Sequence, residues 1–173
     1  MKYLIYKILR KVKYFFLSPL SYARSIGVVV GKYTKIMTKH FGTEPYLIQI
    51  GNYCEITANV SFVTHDGGVW VVRNMNDEHK DVDIIKPIIV HDNVYIGNNS
   101  IILPGVEIAK DTIIGAMSIV TKSIEKSGVY AGIPARYICS IEEYVEKNRG
   151  SFEYTKKLSY FEKKRFFQEK WDK

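Results

Sequence analysis

The sequence predicts an all-β solenoid, a parallel β-helix with a basic amphipathic helix before it and helices after it. Three observations predict it. Aliphatic residues recur every six positions through the middle of the chain, small or β-branched residues stand four places after each of them, and the period stops at a cationic start and at an aromatic, charged end.

The 173 residues suffice for one domain with a sizeable core and short appendages, and no second globular unit is expected. Charge at 25% of positions beside 46% apolar residues argues against both a disordered chain and a polytopic membrane protein. Cys54 and Cys139 have no metal-site spacing and supply no disulfide framework, which favours a reducing, cytoplasmic setting.

Residues 1–26 read as the N-terminal appendage. Leu4, Ile5, Ile8, Leu9, Val12, Phe15 and Phe16 recur at helical spacing, most of the lysines and arginines fall elsewhere on the wheel, and Pro19 is expected to end the helix. Residues 1 to 39 carry nine Lys or Arg and no acidic residue, and the lysines interrupt the apolar run too often for a secretory signal or a spanning helix. Two placements stay open: packing on the body or on a neighbouring subunit, or peripheral contact with an anionic membrane at its inner face.

Residues 27–138 carry the repeat. Val90, Ile96, Ile102, Ile108, Ile114 and Val120 stand six apart without exception, Ile50, Ile56 and Phe62 form an earlier block, and Val30 and Ile36 begin the series. Cys54, Val60, Val94, Ser100, Val106, Thr112 and Ser118 are the residues four places on. Six residues turn an α-helix by about 600°, which scatters the anchors over different faces. A triangular coil of three six-residue units per turn points every anchor inward and stacks it on its equivalent in the next coil, about 4.8 Å away. Tight corners then fall at Gly97-Asn98-Asn99 and His91-Asp92-Asn93.

Two stretches break the period, residues 37–49 and 63–87. Excursions from a rigid solenoid are common seats of function. The second opens with FVTHDGGVW, placing His65 three residues past the anchor Phe62 and beside a Gly-Gly pair that permits close approach. Histidine is the side chain whose ordinary protonation range suits a base at neutral pH. Asp66, Trp70, Arg73 and His79, in the same loop, are candidate substrate contacts. His40, in the first break, and His91, at a corner, read as structural or solvent-facing, and with no close pairing of histidines a metal site is not expected.

IGNYCEITANVSF and VYIGNNSIILPGVEIAKDTIIGAMSIVTKSI, followed by AGIPAR, resemble the hexapeptide-repeat transferases, most nearly their saccharide and capsular polysaccharide O-acetyltransferases. The resemblance implies a left-handed coil, against the usual right-handed crossover. It further implies acetyl-CoA as co-substrate, no required metal, and His65 as the base, because FVTHDGGVW resembles the segment that carries the catalytic histidine in those enzymes. Tyr95, Asn98, Ala116, Thr121, Lys122 and Arg136 match positions that meet the coenzyme, Asn98 and Ala116 one above the other and Asn98 N–H aimed at the developing oxyanion. The family's frequent second basic residue after Arg136 is missing, with Tyr137, Ile138 and Cys139 in its place.

The expected function is therefore acetylation of a hydroxyl on a bacterial surface saccharide of the capsule, lipopolysaccharide or exopolysaccharide kind. The alternative is N-acylation of an amino-sugar nucleotide with the same base and groove. A homotrimer is expected, because His65 leaves the coil near its middle while Asn98, Ala116 and Lys122 lie on later coils, so that one subunit can offer the base and its neighbour the groove. A non-enzymatic scaffold has no use for a histidine in such a loop, and no motif for nucleic acid accompanies the basic charge. Residues 139–173 read as a helical appendage: a short helix over IEEYVEKNRG ended by Gly150, then an aromatic-rich amphipathic helix carrying Tyr154, Leu158, Phe161, Phe166, Phe167 and Trp171.

Overall fold

The computed structural model describes residues 2–75 and 77–172. Thirteen short strands among them form three sheets. The first face holds β1 (Val29–Val30), β3 (Ile48–Ile50), β6 (Ile88–Val90) and β9 (Glu107–Ile108). The second holds β2 (Lys35–Ile36), β4 (Glu55–Ile56), β7 (Val94–Ile96), β10 (Thr112–Ile114), β12 (Gly128–Ala131) and β13 (Arg136–Cys139). The third holds β5 (Ser61–Phe62), β8 (Ile101–Ile102) and β11 (Ile119–Val120). From β3 to β11 the chain visits first, second and third faces in turn, and each strand pairs in parallel with its equivalent in the next coil.

The anchors line the interior of this three-faced coil. Ile50, Ile56, Phe62, Val90, Ile96, Ile102, Ile108, Ile114 and Val120 are each at most 2% exposed. The residues four places on are buried with them, and where they carry hydroxyls the corner backbone satisfies them: Ser100 and Ser118 both donate to the Gly115 carbonyl. Most corners place a residue in the left-handed region. Asn59, Asn93, Asn99 and Asp111 supply it with φ of 55° to 61°, and Tyr33, Tyr53 and Met117 adopt it too. Gly97 is required for a second reason, since a Cβ there would lie 2.5 Å from Ala116 N in the coil above.

Register separates two parts of the coil. Between the long excursion and the end of β11 a turn takes eighteen residues, as in Thr112 beside Val94 and Ile119 beside Ile101, and the last turn takes sixteen, as in Gly128 beside Thr112. Before it a turn takes about twenty, as in Gln49 beside Val29 and Ser61 beside His40. Across the excursion Ile88 lies beside Ile48. The excursion closes on itself through Lys86 N–H to Thr64 O and Asp66 N–H to Ile84 O, both 2.9 Å. It holds the short helix α3 (Val69–Met75) and a 3-10 turn at Asp77–His79.

Three expectations need correction. The N-terminal stretch forms two helices: α1 (Lys2–Phe16) stops before Pro19, which starts α2 (Pro19–Ser25), where its missing N–H costs nothing. The parallel coil does not run to residue 138, because the chain reverses after Gly132 and β13 returns antiparallel on β12. Residues Glu142–Lys173 form a compact unit of their own, in which α4 (Ile141–Asn148) gives way to a 3-10 turn at Arg149–Ser151. There α5 (Tyr160–Trp171) starts at a capping box between Ser159 and Glu162, leaving Tyr154 and Leu158 outside it. Tyr160, Phe167 and Trp171 share one side of α5, with Lys164 beside them and Phe161 and Phe166 on other sides, so its rings are only partly separated from its charges.

Candidate active site

His65 stands where the chain leaves the third face. The coil that follows β2 places residues 40–44 beside residues 61–65, and this brings Thr43 and Glu44 from the first break against the His65 ring. Nδ1 of His65 lies 3.0 Å from Thr43 Oγ1 and 3.4 Å from Glu44 Oε2. The Thr43 hydroxyl donates to Glu44 Oε2 at 2.8 Å, and Thr64 Oγ1 donates to the same oxygen at 2.7 Å.

A hydroxyl has one proton, and Thr43 gives its proton to Glu44. The contact with His65 therefore requires Nδ1 to be the donor. The neutral ring then carries its hydrogen on Nδ1 and its lone pair on Nε2, the tautomer a general base acting through Nε2 needs. The His65 side chain is 44% exposed, that of Glu44 only 16%. Burial by itself would raise the Glu44 carboxyl, but the Thr64 and Thr43 hydroxyls and the His65 ring outweigh it and hold Glu44 below the ordinary carboxylate range. An ionised carboxylate behind Nδ1 stabilises the imidazolium that forms when Nε2 takes a proton.

The loop candidates separate. Asp66 is engaged with its own turn, Oδ1 accepting from Gly68 N–H at 2.8 Å. Arg73 donates to the Val82 carbonyl at 2.7 Å and pairs with Asp83, so it ties α3 to the returning arm of the loop. Trp70, 70% exposed, and His79 in the 3-10 turn are open to solvent.

The coenzyme candidates are divided, only Thr121 and Lys122 sharing an edge with His65. Asn98 and Ala116 sit one above the other, exposed, with Met117 N–H donating to Asn98 O at 2.8 Å, and they occupy the edge between second and third faces. His65, Thr121 and Lys122 lie at the opposite edge of the third face, roughly 16 Å away for about five residues of extended chain across it. Tyr95 is exposed on β7, and Arg136 on the returning strand β13. A cleft of about 570 Å³ opens on another edge, lined by His91, Asp92, Glu107, Lys110, Ser123 and Glu125. There His91 Nε2 meets Glu107 Oε1 at 2.6 Å, so that nitrogen is engaged with a carboxylate. No group of three or more His, Cys, Asp or Glu among the described residues is placed to hold a metal ion.

Sequence reasoning missed Thr43 and Glu44. The signal was present in the offset between Phe41 and Phe62, whose rings stack at 5.6 Å and set the two breaks side by side.

The comparisons with known proteins agree with this architecture. Residues 87–122 match the family described as bacterial transferase hexapeptide (six repeats). The chain is 45% identical over 144 residues to Protein CapG of Staphylococcus aureus, covering 82% of each. It is 36% identical over 100 residues to the galactoside O-acetyltransferase of Escherichia coli K12, covering 58% of this chain and 47% of that one, so it spans about half of that relative's length. The crystal structure of a maltose O-acetyltransferase from Clostridium difficile 630 superposes with a TM-score of 0.51 at 25% identity, covering 78% of this chain and 83% of the other. The chain belongs to the hexapeptide-repeat transferase family. Within that family it is an acyltransferase.

Proposed function

We propose that the protein moves an acetyl group from acetyl-CoA to a hydroxyl of a bacterial surface saccharide, with His65 as general base. The observation that carries this reading is the orientation of the His65 ring: Nδ1 is held by Thr43 and Glu44, and Nε2 is left for an acceptor. In this reading Nε2 takes the proton of the acceptor hydroxyl as its oxygen attacks the thioester carbonyl. Asn98 N–H donates to the oxyanion of the tetrahedral adduct. The imidazolium, stabilised by Glu44, returns the proton to the departing thiolate, so the base is regenerated.

Exposed backbone at Asn98 and Ala116, the ring of Tyr95, and the polar or cationic side chains of Thr121, Lys122 and Arg136 suit a pantetheine arm that ends in phosphates. Trp70 and His79, open on the excursion, and Asp66 at its root are the acceptor-side candidates; Arg73 holds the loop that carries them.

Because His65 and the Asn98–Ala116 column stand on opposite edges of one face, a complete site in this reading takes the base from one subunit and the groove from its neighbour in a left-handed, trimeric coil. Release of thiol from acetyl-CoA, measured against a panel of saccharides and amino sugars, tests the reaction. A hydroxyl acceptor consumed with His65-dependent turnover supports it, and turnover with amino sugars alone overturns it in favour of N-acylation. Mixing His65→Ala chains with Ala116→Trp chains should restore part of the activity. Failure to do so in proven hybrids places both halves on one chain.

A further inference from the structure

Helix α1 is docked with its polar side inward. Arg10 donates to Tyr22 Oη at 3.2 Å and to Gly42 O at 2.6 Å, Lys13 donates to Ser25 O at 3.1 Å, and Lys39 donates to Tyr14 O. The Tyr14 ring packs edge-on against Tyr22 at 5.5 Å. These body-facing residues lie on one side of the helix. The apolar residues lie on the other, over an arc of roughly 140° at 3.6 residues per turn. Leu4, Ile5, Ile8, Leu9, Val12, Phe15 and Phe16 are 48% to 83% exposed.

This is the reverse of a surface helix on a soluble protein, which buries its apolar stripe and shows its charges. Packing on the body, one of the two placements the sequence left open, is therefore filled by the wrong side, and the stripe needs another apolar phase. We infer that α1 lies in the surface of an anionic membrane, its apolar stripe among the acyl chains and the coil held behind it by Arg10, Lys13 and Tyr14.

Charge selects the occupant. The chain up to residue 39 has nine cations and no acid, and Lys7 and Lys11 are exposed at the border of the stripe, placed to reach lipid phosphates. A second copy of the same helix laid on the stripe brings cation against cation. No helix among the described residues is long and apolar enough to cross a membrane, and at about 22 Å α1 is shorter than a hydrocarbon core of about 30 Å, so contact along the surface is the geometry that fits.

Flotation of the full chain with vesicles tests this independently of the acyl transfer. The protein should float with phosphatidylcholine mixed with phosphatidylglycerol, stay behind with phosphatidylcholine alone, and be released by about 1 M salt, where the screening length falls to about 3 Å. Ile8→Glu or Phe16→Glu should cut the bound fraction about tenfold or more, and Lys11→Glu should weaken binding to anionic vesicles, while acetyl transfer to a soluble saccharide is unchanged in all three. An unaltered chain that ignores anionic vesicles overturns the inference. So do glutamate variants that retain vesicle binding, or whose defect by light scattering is loss of the oligomer, which would mean that a second copy covers the stripe.

Discussion

Two parts of the coil obey the same six-residue rule and do different work. From Ile88 to Val120 each turn closes in eighteen residues, anchors fall on anchors, and every strand has its equivalent directly above. Between Ile36 and Ile88 the turns are longer, and the surplus residues are pushed out at one edge as the two breaks. The regular part is a scaffold whose buried layers are interchangeable in kind. The irregular part is where Thr43, Glu44, Thr64 and His65 meet, because surplus chain released from two successive coils at the same edge must stack on itself.

The comparison makes opposite predictions for the two parts. His65→Ala should lower turnover by about 10² to 10⁴-fold while leaving the melting temperature nearly unchanged, since the ring is half-exposed and anchors no layer. A melt and a thiol-release assay on one preparation check both halves of that statement, and a variant keeping most of its turnover removes His65 from the chemistry. Ile102→Ala, in the regular part, should do the reverse. A fully buried aliphatic side chain between Phe62 and Val120 is lost, at a cost of about 2 to 5 kcal/mol, read as a lowered denaturation midpoint with turnover per folded molecule preserved.

Glu44 sharpens the division because it acts through another residue. Glu44→Gln should cut kcat on the order of tenfold to a hundredfold, less than loss of the base itself, with KM for the acceptor little changed. Glu44→Asp should recover part of the rate if a negative charge behind Nδ1 is what matters. Equal losses in Gln and Asp variants would mean that Glu44 only spaces the two breaks.

The smallest effect expected is one of acid stability. Folding holds the Glu44 carboxyl below its ordinary value of 4.5, so the folded state binds its proton less readily than the unfolded chain. The resulting stability is fully present above about pH 4.5 and is lost as pH falls through the lower folded value. Denaturant unfolding of the natural chain and of Glu44→Gln should differ most near neutral pH and converge in acid. Curves that stay parallel down to the acid limit would remove the charge of Glu44 from the account.

Much of this was legible in the sequence, because a hexapeptide coil writes its architecture locally. Whether Ile96 or Ile114 points inward depends on a few bonds of backbone, and Asn93 and Asn99 mark corners because few residue types tolerate a positive φ. His65 stood out by its place in the second break of the period, and its role as base came from the resemblance of FVTHDGGVW to the family's histidine segment. Other features depended on which distant segments come to lie side by side. Glu44 became part of the site only when a turn of about twenty residues set the first break against the second. Arg73 became a tie within the loop once Asp83 returned beside it. The side of α1 that faces the coil was decided by Tyr22, Gly42 and Ser25, hydrogen-bonding groups from two later segments that outbid any apolar contact for the helix. Periodicity determines which way a side chain points from its own backbone, and only the closed tertiary structure decides what it then meets.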